Sequence, residues 1–226
     1  QRRFDLFIAT KGGVAWQKRS NDRAFTSINL TPEYITEAVH SSLRRLRLDT
    51  LPLYYIHWPD VNVDMSKTFE CLSKLQRQGK INHIGCSNFN IDQLNIATKS
   101  ASIDFVQVPG NILNGYPENN FIKLCNKFKI KIVAYNVLAA GLLTGKFTVN
   151  TKFPSSDRRS RLPLYEGVEF KKQLNRIQEF KKIAELEKLS LSQYAIRSAL
   201  EHENIDYVIT GIKTSSQAEE NISSLN

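Results

Sequence analysis

Short, nearly continuous apolar runs recur along the chain, and longer stretches between them return an apolar residue every three or four positions. The runs are 4–10 (FDLFIAT), 53–57 (LYYIH), 83–87 (HIGCS), 104–108 (DFVQV), 131–136 (KIVAYN) and 206–211 (DYVITG). Runs of that length without polar alternation read as parallel strands covered on both faces. The intervening stretches predict helices. The first opens with Thr31 as a cap and Pro32 at the first helical position, and it reaches about Leu46. Others follow over 66–78, ended by Gly79, and over 91–99, 118–128, 168–189 and 191–202. In 168–189, Phe170, Leu174, Ile177, Phe180, Ile183 and Leu186 recur at helical spacing, with lysines opposite. Strand–helix alternation predicts an α/β fold with right-handed crossovers. The longest irregular stretch, 148–167, is expected to be a functional loop, because a loop of that length inside a compact domain usually is.

Two architectures share that alternation. A doubly wound sheet usually carries a glycine-rich phosphate loop after its first strand. Lys11-Gly12-Gly13 stands in that place, and it is neither the dinucleotide fingerprint nor a P-loop. A (β/α)8 barrel instead puts its chemistry at the C-terminal end of every strand. Lys11 follows the first run and His57 ends the second. Ser87 and Asn88 end the third, Gln107 lies near the end of the fourth, Tyr135 and Asn136 end the fifth, and Lys213 and Thr214 follow the last. Polar or ionisable groups at one end of six strands favour a TIM barrel, with 1–226 as one domain.

Composition narrows the function classes. The chain has 226 residues, 41% of them hydrophobic, which is enough for a sizeable core. Cys71, Cys86 and Cys125 are odd in number and form no CxxC pair, which fits a reducing compartment better than a disulfide framework or a zinc site. No apolar run is long enough to span a bilayer, and the N-terminal residues are not a signal peptide, so a cytoplasmic protein is expected. The net charge is +9, but the basic residues are interleaved with acids, so no nucleic-acid partner is expected. The charge still attracts an anionic ligand. His40, His83 and His202 have no partner at metal-ligand spacing, and no metal is expected. Tyr54, Tyr55 and Cys86 are read as core residues.

Several segments carry more information together than apart. ATKGG (9–13), SLRRLRLD (42–49), LYYIHWPD (53–60), GKINHIGCSNFN (79–90), VAYNVLAAGLLTGK (133–146) and SSQAEEN (215–221) run from one end of the chain to the other. In kind and order they resemble the aldo-keto reductase family, in the subgroup that carries HWPD. The resemblance implies a barrel that binds NADPH, or NADH, and reduces a small-molecule carbonyl to an alcohol. It implies that Lys11 and His57 are two members of a catalytic tetrad. It implies that Ser87, Asn88 and Gln107 hold the nicotinamide carboxamide and that Tyr135 stacks on the ring. Leu138, Gly141 and Lys146 would belong to the loop closing over the pyrophosphate. Gln217, Glu220 and Asn221 would lie near the adenosine end, with Lys213 close to a 2′-phosphate.

The resemblance also places two strands and the other tetrad members, an aspartate and a tyrosine, ahead of the lysine strand. Ten residues precede Lys11, so the six runs correspond to strands three to eight, and an incomplete sequence or a fragment is expected. Asn136-Val137 and Pro109-Gly110 depart from the family's usual residues beside the cofactor, and Pro52 replaces the usual aspartate before His57. The stretch 148–167, with Arg158, Arg159 and Arg161, would be a cofactor-side loop. The functional alternative is a catalytically weak NADP(H)-binding sensor or regulatory subunit of the same fold. Oligomeric state is not readable from the sequence.

Overall fold

The computed structural model describes residues 6–18 and 24–225. The chain divides into two compact units, one of residues 1–108 and 118–132, the other of 109–117 and 133–226. The first unit begins with β1 (Ala9–Gly12) and an antiparallel ribbon of β2 (Val14–Lys18) and β3 (Ala24–Ile28). Then follow α1 (Pro32–Leu46), β4 (Leu51–Ile56), α2 (Met65–Arg77), β5 (Ile81–Ser87), α3 (Ile91–Ser100), β6 (Phe105–Pro109) and α4 (Asn119–Phe128). Strand β7 (Lys131–Tyr135) crosses the division, and α5 (Gly167–Leu186), α6 (Leu191–Leu200), β8 (Tyr207–Val208) and α7 (Ser215–Ile222) belong to the second unit.

Local chemistry explains the boundaries. Thr31 caps α1 by accepting from the Tyr34 amide, Pro32 supplies a preset φ, and Arg47 ends the helix in the left-handed region at φ 51°. Asn90 and Gln93 close a reciprocal capping box on α3, as Ser190 and Gln193 do on α6. In the first unit β1, β4, β5 and β6 pair in parallel in that order, with Lys11 opposite Tyr55, Tyr55 opposite Gly85, and Ser87 opposite Gln107. In the second, β7 pairs β8 in parallel. No helix of the described residues is long and apolar enough to cross a membrane.

The structure corrects several expected elements. The first strand lies later than 4–10: Leu6 and Phe7 are 65% and 61% exposed, residues 4 and 5 lie outside the described residues, and Lys11 sits inside β1 rather than after it. The β2–β3 ribbon was not expected, because both of its strands mix polar and apolar residues. The last strand shrinks to Tyr207–Val208. On α5, Phe170, Leu174 and Ile177 are buried, but Ile183 is 39% and Leu186 84% exposed. Three-residue steps drift about 60° each around a helix of 3.6 residues per turn, so the later positions leave the buried face, and Ala184 takes their place there.

Tyrosines set the packing of the first unit. Tyr54 and Tyr55 are both fully buried and, being consecutive on β4, face opposite ways. A Cβ at Gly12 would fall 1.8 Å from the Tyr54 hydroxyl, and one at Gly85 would fall 2.4 Å from two Tyr55 ring carbons. Each tyrosine therefore needs a glycine on the neighbouring strand. The Tyr54 hydroxyl has no hydrogen-bond partner among the described residues, and burial raises its pKa. A desolvated, unpaired hydroxyl weakens the fold. Tyr54→Phe is expected to raise the unfolding free energy by about 1 kcal/mol in urea denaturation, with an unchanged slope. A loss of stability would mean that the hydroxyl is hydrogen-bonded.

Candidate functional site

In the first unit, parallel pairing brings five of the predicted residues together at one end of the sheet. Lys11 lies beside Tyr55 in the register, its ammonium 5.6 Å from the Tyr55 ring centroid, and it donates to Oε1 of Gln107. Gln107 and Ser87 are buried neighbours on β6 and β5. Desolvation holds the Lys11 amine below its usual range. Burial pushes the Tyr55 hydroxyl up to about 12, against a hydrogen bond from Gln107. Tyr55 is therefore a neutral wall of the group.

His57 follows β4 directly. Its backbone amide donates to Gly12 O at 2.9 Å, tying the end of β4 to the end of β1. Asn88, in the left-handed region at φ 64°, donates from its side chain to His57 O at 2.9 Å and Ser87 Oγ at 3.1 Å. Its amide donates to Gln107 O at 3.2 Å. Asparagine tolerates that φ better than most residues, and here its side chain knits two strand ends together. The imidazole stacks on Trp58, with ring centroids 6.3 Å apart and planes 28° apart. Desolvation, then the positive charge of Lys11, hold the His57 pKa below its ordinary value. The ring is neutral at neutral pH and carries one N–H donor.

The second unit holds a cavity of about 660 Å³. Seven predicted residues line it: Leu138, Gly141, Lys146, Lys213, Gln217, Glu220 and Asn221. Tyr135, the last residue of β7, is half-buried and is not in that lining; burial raises its pKa and Arg158 opposes the rise. After β7 the chain turns through Asn136 at φ 57°, whose Oδ1 accepts from the Ala140 amide at 2.7 Å. Ala139, Ala140 and Gly141 all have positive φ, so this turn is a left-handed run rather than a helix. On the far wall, Thr214 caps α7, and the Lys213 amide donates to Gln217 Oε1 at 2.8 Å. Asn221 donates to Thr210 Oγ1 at 3.1 Å, and Glu220 accepts from Ser190 Oγ at 2.8 Å.

The stretch 148–167 folds into two short turns, Arg158–Arg161 and Pro163–Tyr165, and the Tyr165 hydroxyl donates to Ala140 O at 3.1 Å. Arg159 lines the cavity, whereas Arg158 and Arg161 do not. Its guanidinium lies 4.5 Å from the Phe153 ring centroid and 5.5 Å from that of Phe147, and it donates to both carboxylate oxygens of Asp157. Those hydrogen bonds hold the Asp157 carboxyl at about 2. Asp157, Ser192 and Thr210 also line the cavity and carried no sequence signal, being brought there only by the fold, whereas Thr144 lies within the motif of residues 133–146.

The sequence profile of the Aldo/keto reductase family matches residues 1–226. The aldo-keto reductase YhdN of Bacillus subtilis is 32% identical over 219 residues, covering 96% of this chain and 65% of its own length. The NADP(+) aldo-keto reductase yakc of Schizosaccharomyces pombe is 31% identical over 227 residues, covering 99% of this chain and 66% of its own. The chain thus spans just under two thirds of the length of these curated relatives. A solved glycerol dehydrogenase from Gluconobacter oxydans superposes with a TM-score of 0.82 at 30% identity, over 96% of this chain and 71% of that one. The parallel strands and their covering helices are part of a (β/α)8 barrel. With its whole length matched by the family profile, the chain belongs to the aldo/keto reductase family.

Proposed function

We propose that this chain reduces the carbonyl of an aldehyde, ketone or keto-sugar with NADPH, and that Lys11 and His57 act on the carbonyl. The observation that supports this most is the Lys11–Gln107 and His57–Asn88 group, in which a lysine and a neutral histidine share one end of four parallel strands. The relatives' names as aldo-keto reductases, one of them NADP(+)-marked, agree with it. The cavity of the second unit suits the phosphate and adenosine parts of the cofactor. Its lining carries Lys146, Arg159 and Lys213 against Asp157 and Glu220, and it includes Gln217 near the N-terminal, positive end of α7.

When bound, a nicotinamide cofactor would supply a hydride to the carbonyl carbon, and the negative charge developing on the oxygen would be met by a proton from the tyrosine that the family resemblance places ahead of the lysine strand. His57, kept neutral, donates its N–H to that oxygen and sets its direction. Lys11, positioned by Gln107, adds a positive charge in a partly desolvated setting, where it acts more strongly than in water. Ser87, Asn88 and Gln107 offer amide and hydroxyl groups to the carboxamide, and Tyr135 offers a ring face. Lys213 and Arg159 are assigned to phosphate, Lys146 with Leu138 and Gly141 to the closing turn, and Gln217, Glu220 and Asn221 to the adenosine end.

Three measurements test the assignment. His57→Ala is expected to lower kcat about 100- to 1000-fold, the usual effect of deleting one such donor, while NADPH affinity is retained. If NADPH binding collapses instead, His57 belongs to the cofactor site. If the unmodified protein binds NADPH yet oxidises it with no simple aldehyde, it is a cofactor-binding sensor or regulatory subunit. Lys213→Ala is expected to weaken NADPH about tenfold and NADH much less, in calorimetric titration at fixed salt, because a charge-assisted contact to phosphate is lost. Burial and the Lys11 charge both depress the His57 pKa, so deleting the charge must raise it. NMR titration of Lys11→Met is expected to show the His57 resonance moving toward the ordinary value of about 6.5.

A further inference from the structure

The charges of the first unit alternate along the sequence, but the fold sorts them by sign. Each helix from α1 to α4 carries the chain back to the start of the next strand, so all four end on the side opposite Lys11 and His57. The helices pack in order, α1 on α2, α2 on α3 and α3 on α4. Hydrogen bonds tie their ends together. Thr50 Oγ1 donates to Gly79 O at 2.6 Å, Ser73 Oγ to Ser100 O at 3.3 Å, and the Lys131 amide to Asp104 O at 2.9 Å. Acids hold the caps or first turns of the four helices: Glu33, Asp64, Asp92 and Glu118. Cations hold the last turns and the C-caps. Arg47 ends α1, Lys74 and Arg77 end α2, Lys99 ends α3, and Lys127 and Lys129 end α4. All six are exposed, and none forms an ion pair within the described residues. Asp49 and Asp104 share that side, and Asp104 lies 3.3 Å from His83 Nδ1.

One cation per helix end is explained by the helix dipole, which favours positive charge there. Arg47 and Lys129 are not explained that way. They stand at φ 51° and 57°, in the left-handed region where a side chain is strained and glycine is not. After α2 the same conformation is taken by Gly79, at φ 71°. Two helix ends thus keep a cation where the backbone favours glycine. We infer that the helix-end side of the first unit is a docking surface for an acidic protein segment, a run of Asp and Glu in a partner. Cations on neighbouring helices lie about 10 Å apart, which matches carboxylates about three residues apart on an extended chain. The face suits carboxylates better than a nucleic acid or a lipid surface. Its large apolar side chain, Phe128, is 38% exposed and has the Lys127 ammonium 5.2 Å from its ring centroid. That ring is taken by a cation and offers neither a stacking platform for a base nor an anchor for acyl chains. The surface lies at the far end of the strands from Lys11 and His57, so the partner leaves the carbonyl group open.

The test titrates fluorescein-labelled poly-L-glutamate with the protein and reads anisotropy at physiological ionic strength. Saturable binding is expected. Lys74→Glu/Arg77→Glu/Lys99→Glu is expected to weaken it at least about tenfold. Lys171→Glu/Lys172→Glu/Lys182→Glu makes the same change of net charge on exposed positions of α5 in the second unit, and it is expected to weaken binding less than about twofold. Arg47→Gly/Lys129→Gly removes two cations at positions that suit glycine, so it keeps the fold, and it is expected to weaken binding about fivefold without lowering Tm. That pair decides the matter if the triple reversal fails to fold. No binding of poly-L-glutamate overturns the inference. So does an equal loss in the α5 variant, which would mean that net charge alone attracts the peptide. Polyuridylate or phosphatidylserine vesicles bound through the same residues more tightly than poly-L-glutamate also overturn it, and give the face to a phosphate-bearing partner instead.

Discussion

Lys11 and Tyr55 are register partners on adjacent parallel strands, and the rest of the first unit's polar group depends on that pairing. Parallel strands all end on one side, so the residues that follow them collect there. Tyr55 fills the space beside Lys11 because Gly85, its partner on β5, has no side chain to oppose the ring. Gln107 then reaches the lysine from β6, and Ser87 stands beside Gln107. A one-residue slip between β1 and β4 would turn Lys11 to the opposite face. The His57 amide bond to Gly12 O opposes that slip from outside the ladder, as does the Asn88 bridge to His57 O for the next pair.

The two units handle charge in different ways. Lys11 is desolvated, and its side chain is held by an amide oxygen, which is an acceptor without charge. Its positive field is therefore not cancelled locally, and it is felt by His57. Arg159 is held by a carboxylate, in a pair whose side chains are about a quarter exposed. Such a pair fixes geometry more than it adds stability. The aromatic faces of Phe147 and Phe153 fix the guanidinium further. A lysine that must polarise something suits the first arrangement. An arginine that anchors a long loop suits the second.

The sequence made the strand ends legible because buried parallel strands are unbroken apolar runs that stop at polar residues. Lys11, His57, Ser87, Asn88 and Gln107 were readable for that reason, and the structure brings them together. The motif LAAGLLTGK located the turn around Gly141, but its left-handed course through Ala139 and Ala140 was not readable, since alanine carries no signal for positive φ. The ribbon of β2 and β3 escaped because its alternation is weak and its strands are short. Its sequence did hold turn residues, Ser20-Asn21-Asp22, between two runs rich in aromatic and β-branched residues, which is a hairpin signal. Asp157 and Thr210 reach the cavity from segments far apart in sequence, and no local pattern marks such residues.

The net charge of +9 bears on ligand binding less than the placement of a few cations. At physiological ionic strength an exposed charge is screened over about 8 Å, so lysines scattered over helix surfaces raise the approach rate of an anion but do not hold it. In the proposed function, holding falls to the cavity. There Arg159 is engaged by Asp157, and Glu220 accepts from the Ser190 hydroxyl, which leaves Lys146 and Lys213 as exposed cations on its walls. Lys146 follows Gly145, at the end of the turn after β7, and Lys213 directly precedes the cap of α7. Lys213 therefore places its charge beside the positive end of a helix, where both would favour an anion. In the proposed function, anion binding thus rests on two side chains and one helix end rather than on the overall basicity of the chain.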